Sequence, residues 1–173
     1  MSDEGESWLF DAAGEQSETL EAFKAKVERA TDAQVKYRDW NGQTVLMKVA
    51  ENHDWPELAA ALIERGCDVN AKEEGAGNGN TALHYAGDRN RRETVRVLLE
   101  HGADPTIKND DGDTAADITR LDNKKLAAYI DGAPALRAAR GARPLRPPPR
   151  RPLSPQPPVP RAGFIPSSSD DSA

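Results

Sequence analysis

The triplet Gly-x-Thr recurs along this chain as Gly42-Gln43-Thr44, Gly79-Asn80-Thr81 and Gly112-Asp113-Thr114, with the threonines 37 and 33 residues apart. No other feature restricts the fold so strongly, because a period of this size signals stacked structural units that share one continuous core. Glycine-terminated apolar stretches follow at matching distances. Leu58-Ala59-Ala60-Ala61-Leu62-Ile63-Glu64-Arg65 leads into Gly66-Cys67-Asp68-Val69-Asn70-Ala71, and Val95-Arg96-Val97-Leu98-Leu99-Glu100-His101 leads into Gly102-Ala103-Asp104-Pro105.

The physics of one unit can be read between Gly79 and Pro105. Thr81 follows a turn glycine and precedes apolar positions, which predicts an N-cap whose hydroxyl accepts from first-turn amides. Leu83 and Ala86 mark the buried face of a short helix, and Asp88-Arg89-Asn90 is a polar turn. A second helix starts at Glu93, where Val95, Leu98 and Leu99 form an i, i+3, i+4 stripe. Gly102 ends it, and Asp104-Pro105 leaves in an extended turn. Neither helix can hide its apolar face alone, so each unit needs neighbours.

These phrases resemble the ankyrin repeat. The family's Gly-x-Thr-x-Leu-His-x-Ala run stands here as Gly79-Asn80-Thr81-Ala82-Leu83-His84-Tyr85-Ala86, and its Gly-Ala-Asp-x-Asn ending as Gly66-Cys67-Asp68-Val69-Asn70 and Gly102-Ala103-Asp104-Pro105. The resemblance implies an all-α solenoid of about four helix-turn-helix repeats joined by hairpin-like loops, with approximate limits 6–38, 39–72, 73–108 and 109–132. The first is an N-terminal cap, with Leu9, Phe10, Leu20, Phe23 and Val27 apolar and Ser17 the expected cap of its second helix. Met47 and Asp117 depart from the family histidine, which His84 keeps, and that histidine is expected to tie neighbouring repeats together. Val45, Ala82 and Ala115 replace the family proline. The loop Glu73-Glu74-Gly75-Ala76-Gly77-Asn78 carries about three extra residues, and the turn His53-Asp54-Trp55-Pro56 one.

Composition marks a second region. The net charge is −6, yet residues 1–132 carry −11 and residues 133–173 carry +5. Of the 13 prolines, only Pro56 and Pro105 precede that cut, which places a boundary near Gly132. Residues 133–173 read as a disordered Pro/Arg-rich tail that samples polyproline II and cannot build a core. Arg146, Pro149 and Pro152 match one orientation of SH3-type ligands, and Ser154, followed by proline and preceded by Arg151, reads as a phosphorylation site.

Several chemistries are disfavoured. One cysteine, Cys67, excludes internal disulfides and multi-cysteine zinc sites. No stretch approaches the roughly 20 apolar residues of a membrane span, and the acidic start lacks the signature of a signal peptide. The expected location is the cytoplasm or nucleus. No histidine has a second one at metal-ligand spacing. The glycines of 75–79 lack the third glycine and the βαβ context of a dinucleotide site. An EF-hand centred on Gly112 would put Ile107 and Ile118 at ligand positions. No catalytic order of Ser, His, Cys and Asp is present, so a non-enzyme without cofactor or metal is expected. Nucleic-acid binding by the seven tail arginines is the weakest alternative, since interleaved aromatics apart from Phe164 are missing and the acidic body repels phosphates.

The resemblance implies instead a monomeric interaction module, an adaptor or scaffold, that holds a protein partner in the concave groove of finger tips and first helices. An assembly chaperone or stoichiometric inhibitor is the alternative role. By position the groove receives Trp40, Gln43, Asn78, Asn80, Tyr85, Asp88, Arg89, Asp110, Asp111 and Asp113. The aspartates favour a basic partner segment. Trp40 is either a binding hot spot or a lid on the core of the first repeat.

Overall fold

Threonine hydroxyls and glycine stops set where helices begin and end, as the repeat phrases predict. The computed structural model describes residues 5, 7–15, 19–74 and 78–139. The helices are α1 (Trp8–Gly14), α2 (Leu20–Arg29), the single turn α3 (Asp32–Val35), α4 (Val45–Asn52), α5 (Pro56–Glu64), α6 (Ala82–Asp88), α7 (Arg92–Glu100), α8 (Ala115–Asp122) and α9 (Lys124–Ala139). Four antiparallel pairs result: α1 with α2, α4 with α5, α6 with α7 and α8 with α9. Among the described residues β structure is limited to two isolated bridges, Arg38 with Thr44 and Lys108 with Thr114.

The pairs stack in two layers. α1, α4, α6 and α8 pack in sequence as one layer, and α2, α5, α7 and α9 as the other. Leu9, Phe23, Leu46, Leu58, Leu62, Leu83, Leu98 and Ile130 fill the space between them and are fully buried. Burying each such side chain stabilises by about 1.5–3 kcal/mol, which no isolated pair could collect. α5 and α7 both end in a Schellman motif. Gly66 and Gly102 adopt left-handed φ of 94° and 99°, and the amides of Cys67 and Ala103 reach back to Leu62 and Leu98 carbonyls at 3.0 and 2.8 Å. Asn70 then staples one repeat to the next, donating to the Gly102 carbonyl at 3.2 Å and accepting from the Asp104 amide at 2.8 Å.

Three expectations are corrected. The cap of α2 is Thr19, which accepts from the Ala22 amide at 3.3 Å; Ser17 lies outside the described residues. Helix α3, with its Thr31–Gln34 capping box, is an element that the apolar periodicity did not signal. The boundary placed at Gly132 falls inside α9, which runs on to Ala139, because a compositional break need not coincide with the last helical turn. Thr81 is the N-cap residue of α6 and forms a capping box with His84, and its hydroxyl also pairs with the His84 ring at 2.8 Å. The chain divides between Arg143 and Pro144, and every described residue belongs to the first unit, Met1–Arg143. The tail motif Arg146, Pro149 and Pro152 and the serine Ser154 lie outside the described residues.

Candidate functional site

Among the described residues three finger loops project between the helix pairs, formed by 38–44, by 72–74 with 78–81, and by 108–114. Each is closed by one side chain at its base. Asp39 Oδ1 accepts from the amides of Asn41 and Gln43 at 2.9 and 2.8 Å. Asn109 Oδ1 accepts from Asp111 and Asp113 at 3.1 and 2.9 Å. In the longer middle finger a glutamate takes this role, and Glu73 Oε2 accepts from Asn78 and Asn80, both at 3.3 Å. The extra methylene of glutamate suits a loop that carries an insertion. Backbone bonds join the fingers into a row, from Glu74 N to Asn41 O and from Asp110 N to Asn78 O, both at 2.9 Å.

The free oxygen of Glu73 builds a second tie. Its Oε1 accepts from Gln43 Nε2 at 2.6 Å and from the Tyr85 hydroxyl, and Gln43 Nε2 also meets the Tyr85 oxygen at 2.8 Å. Glu73 is only 6 % exposed, so each of these bonds replaces a water that burial removed. Burial first, and then the Glu73 carboxylate, push the Tyr85 phenol above its ordinary range. Gln43, Tyr85, Asn78 and Asn80, all expected on the partner-facing surface, thus hold one another through a glutamate that sequence reasoning missed. Its signal was the equivalence of Asp39, Glu73 and Asn109, masked by the insertion.

The residue three positions after each finger threonine supplies the next link. His84 Nε2 lies 3.2 Å from the Asp113 carbonyl. A carbonyl cannot donate, so Nε2 carries the proton and Nδ1 accepts from the Thr81 amide at 3.2 Å and from its hydroxyl. The expected histidine tie between repeats is present in this form. Met47 and Asp117 keep the inward half alone: Thr44 N donates to Met47 Sδ at 3.4 Å and Thr114 N to Asp117 Oδ2 at 3.1 Å. Neither has a proton for a following repeat. Between the second and third repeats, the Glu73 network bridges the gap. At the far end, Arg120 forks onto Asp117 at 2.7 Å and Asp131 at 2.6 Å. Its counterparts six residues after Thr44 and Thr81 are Ala50 and Gly87, so this end face is finished with charge where inner faces are small.

Trp40 stands apart. It is 82 % exposed at the tip of the first finger and does not close the core of the first repeat. That core is closed by Tyr37 edge-on to Phe10, with ring centroids 5.7 Å apart, and by Trp55 beside Phe23 at 6.3 Å. Asp88 and Arg89 are exposed, and Arg89 reaches Glu51 at 3.5 Å. Asp110 pairs with Lys72 at 3.6 Å. Asp111 and Asp113 have exposed carboxylates with no ion-pair partner among the described residues. A second exposed apolar residue, Leu121 at 87 %, was not anticipated.

His53, His84 and the cysteine are bound up in structure. His53 is buried and stacks on Trp55 with centroids 3.7 Å apart and planes within 6°. Burial, and then the Arg91 charge, lower its pKa, opposed by hydrogen bonds to the Ala13 and Glu15 backbone. Burial likewise lowers that of His84. The Cys67 thiol, buried and donating to the Val35 carbonyl at 3.1 Å, is pushed up to about 12 by desolvation. Among the described residues no group of three or more His, Cys, Asp or Glu could hold a metal ion, and no helix is long and apolar enough to cross a membrane.

The two-layer stack with its row of fingers defines a repeat protein of the helix-pair class, and the family profile for ankyrin repeats, in three copies, matches residues 5–109. This chain belongs to the ankyrin-repeat family. The fourth pair, α8 and α9, follows the matched region. Relatives include a protein of Oryza sativa subsp. japonica named "Probable E3 ubiquitin-protein ligase XBOS34", 42 % identical over 92 residues, or 53 % of this chain and 18 % of the relative. Human 2-5A-dependent ribonuclease is 40 % identical over 70 residues, 40 % of this chain and 9 % of that protein. Human BCL-6 corepressor-like protein 1 is 33 % identical over 91 residues, 53 % of this chain and 5 % of that protein. The matched segment therefore spans less than a fifth of these relatives. Ankyrin repeats generally mediate binding to other proteins, and such domains are typically non-catalytic.

Proposed function

We propose that this chain is a non-catalytic adaptor or scaffold that binds a protein partner across the face formed by its fingers and first helices, and that the bound segment is basic. The carrying observation is Trp40, 82 % exposed on a finger whose backbone is fixed by Asp39. Tryptophan is among the residues most enriched at binding hot spots, and a rigid base lowers the ordering cost of using it. The exposed carboxylates of Asp111 and Asp113 favour a positively charged segment through association rate and selectivity. In this reading the Arg146, Pro149 and Pro152 motif is a second site for an SH3-type domain, and two sites used together are what an adaptor needs.

The test compares full-length chain and its Trp40→Ala variant as baits in native cell extract, quantified by mass spectrometry. Partner recovery is expected to fall at least tenfold with Trp40→Ala and to remain with Arg96→Ala on an outer-layer helix. Equal recovery by all three baits would overturn the assignment of the face.

A further inference from the structure

Leu121 marks a second anchor on the same face. Single exposed leucines are ordinary, but this one breaks a pattern. Counting seven residues from each finger threonine, the first-helix positions are Glu51, Asp88 and Leu121. The last repeat thus presents an aliphatic side chain, 87 % exposed, where the two before it present carboxylates. One turn earlier, at the position of Lys48 and Tyr85, lies the half-buried Ile118. An i, i+3 pair of this kind shares one side of a helix, so Ile118 and Leu121 make a small apolar patch. The exposed carboxylates of Asp111, Asp113 and Asp122 belong to this same repeat, and none has an ion-pair partner among the described residues.

We propose that the fourth repeat docks a basic protein segment through an aliphatic side chain set on Ile118 and Leu121, with flanking Lys or Arg residues facing Asp111, Asp113 and Asp122. Apolar contact supplies affinity, and the carboxylates of the same repeat select against acidic segments. The inference rests on the concave-face reading above and adds to it the chemistry of the occupant. Two interaxial steps of about 8–10 Å each, together with the roughly 10 Å from the start of α8 to Leu121, put the two anchors at least roughly 19–22 Å apart. An extended chain advances about 3.3 Å per residue, so a single segment needs about six to seven residues to reach both anchors.

The experiment selects random 12-residue displayed peptides on the full-length chain at low salt, then measures synthetic copies of the enriched peptides by calorimetry. Enrichment of an aliphatic residue flanked by Lys or Arg is expected. Affinity for such a peptide is expected to fall at least tenfold with Leu121→Lys, to survive Leu121→Met, and to weaken as salt rises. Circular dichroism checks that the variants are folded, which the exposure of Leu121 favours. Enriched peptides that lose affinity with Trp40→Ala and not with Leu121→Lys would overturn this inference and leave the concave-face reading standing. Peptides indifferent to both variants, or no enrichment, would overturn both.

Discussion

The Glu73 carboxylate and the Gln43 carboxamide meet at 2.6 Å although 30 residues separate them in sequence. This contact joins two fingers on the side where Met47, lacking a proton to donate, cannot. Glu73→Ala would strand Gln43, the Tyr85 hydroxyl and two finger amides without their acceptor. Leaving buried donors unsatisfied costs about 1–3 kcal/mol. Urea denaturation of Glu73→Ala should show a loss of that order, whereas Glu73→Gln, which keeps an acceptor oxygen of the same reach, should lose less. Equal losses would mean that packing and not hydrogen bonding explains the residue.

Close approach between fingers makes a second test. Gly42 has φ +75, and a β-carbon there would lie 2.6 Å from the Glu74 backbone nitrogen. Gly112 has a similar φ of +88 with open space around it. Gly112→Ala should therefore cost only the left-handed conformation, about 1–2 kcal/mol. Gly42→Ala adds a backbone clash and should cost measurably more in the same denaturation series. Equal costs would show that the fingers can separate without loss.

Much of this architecture was legible in the sequence, for reasons that also explain the gaps. Thr44, Thr81 and Thr114 fixed three helix starts because a cap is a local interaction. Gly66 and Gly102 fixed two helix ends because only the left-handed turn they adopt was needed. Glu73 was hidden because its equivalence to Asp39 and Asn109 is not one of spacing: the insertion moves its finger threonine from five to eight residues away. Leu121 was hidden because its exposure depends on what stands opposite α8, and nothing in its own helix states that. Gln43 and Tyr85 stand on a finger and a first helix as the repeat phrases imply, yet each bonds to a group in another repeat, beyond the reach of a local pattern.

Cys67 offers a probe of the whole stack. Its thiol is buried and desolvation raises its pKa to about 12, so almost no thiolate forms near neutral pH and the reactive species is missing. Labelling by a thiol reagent should be slow in the native protein and become fast in denaturant, with the same urea midpoint as circular dichroism. Rapid native labelling would show that α5 and its neighbours open locally without global unfolding.

Acid sensitivity follows from the two buried histidines. Burial lowers the pKa of both His53 and His84 in the folded state, so each stays neutral there while the unfolded chain takes up protons near its ordinary value of about 6.5. In the window below about 6.5 the unfolded state binds more protons, and stability falls as pH falls. The physical reasons differ in detail. Protonated His53 would face the Arg91 guanidinium in a buried site, and protonated His84 would lose the acceptor that holds Thr81. The urea midpoint should be constant from pH 8 to pH 7 and decline between pH 6.5 and 5. His53→Gln should flatten part of that decline while lowering the plateau through the lost Trp55 stack. A midpoint that rises on acidification, or an unchanged slope in the variant, would assign the pH dependence to other groups.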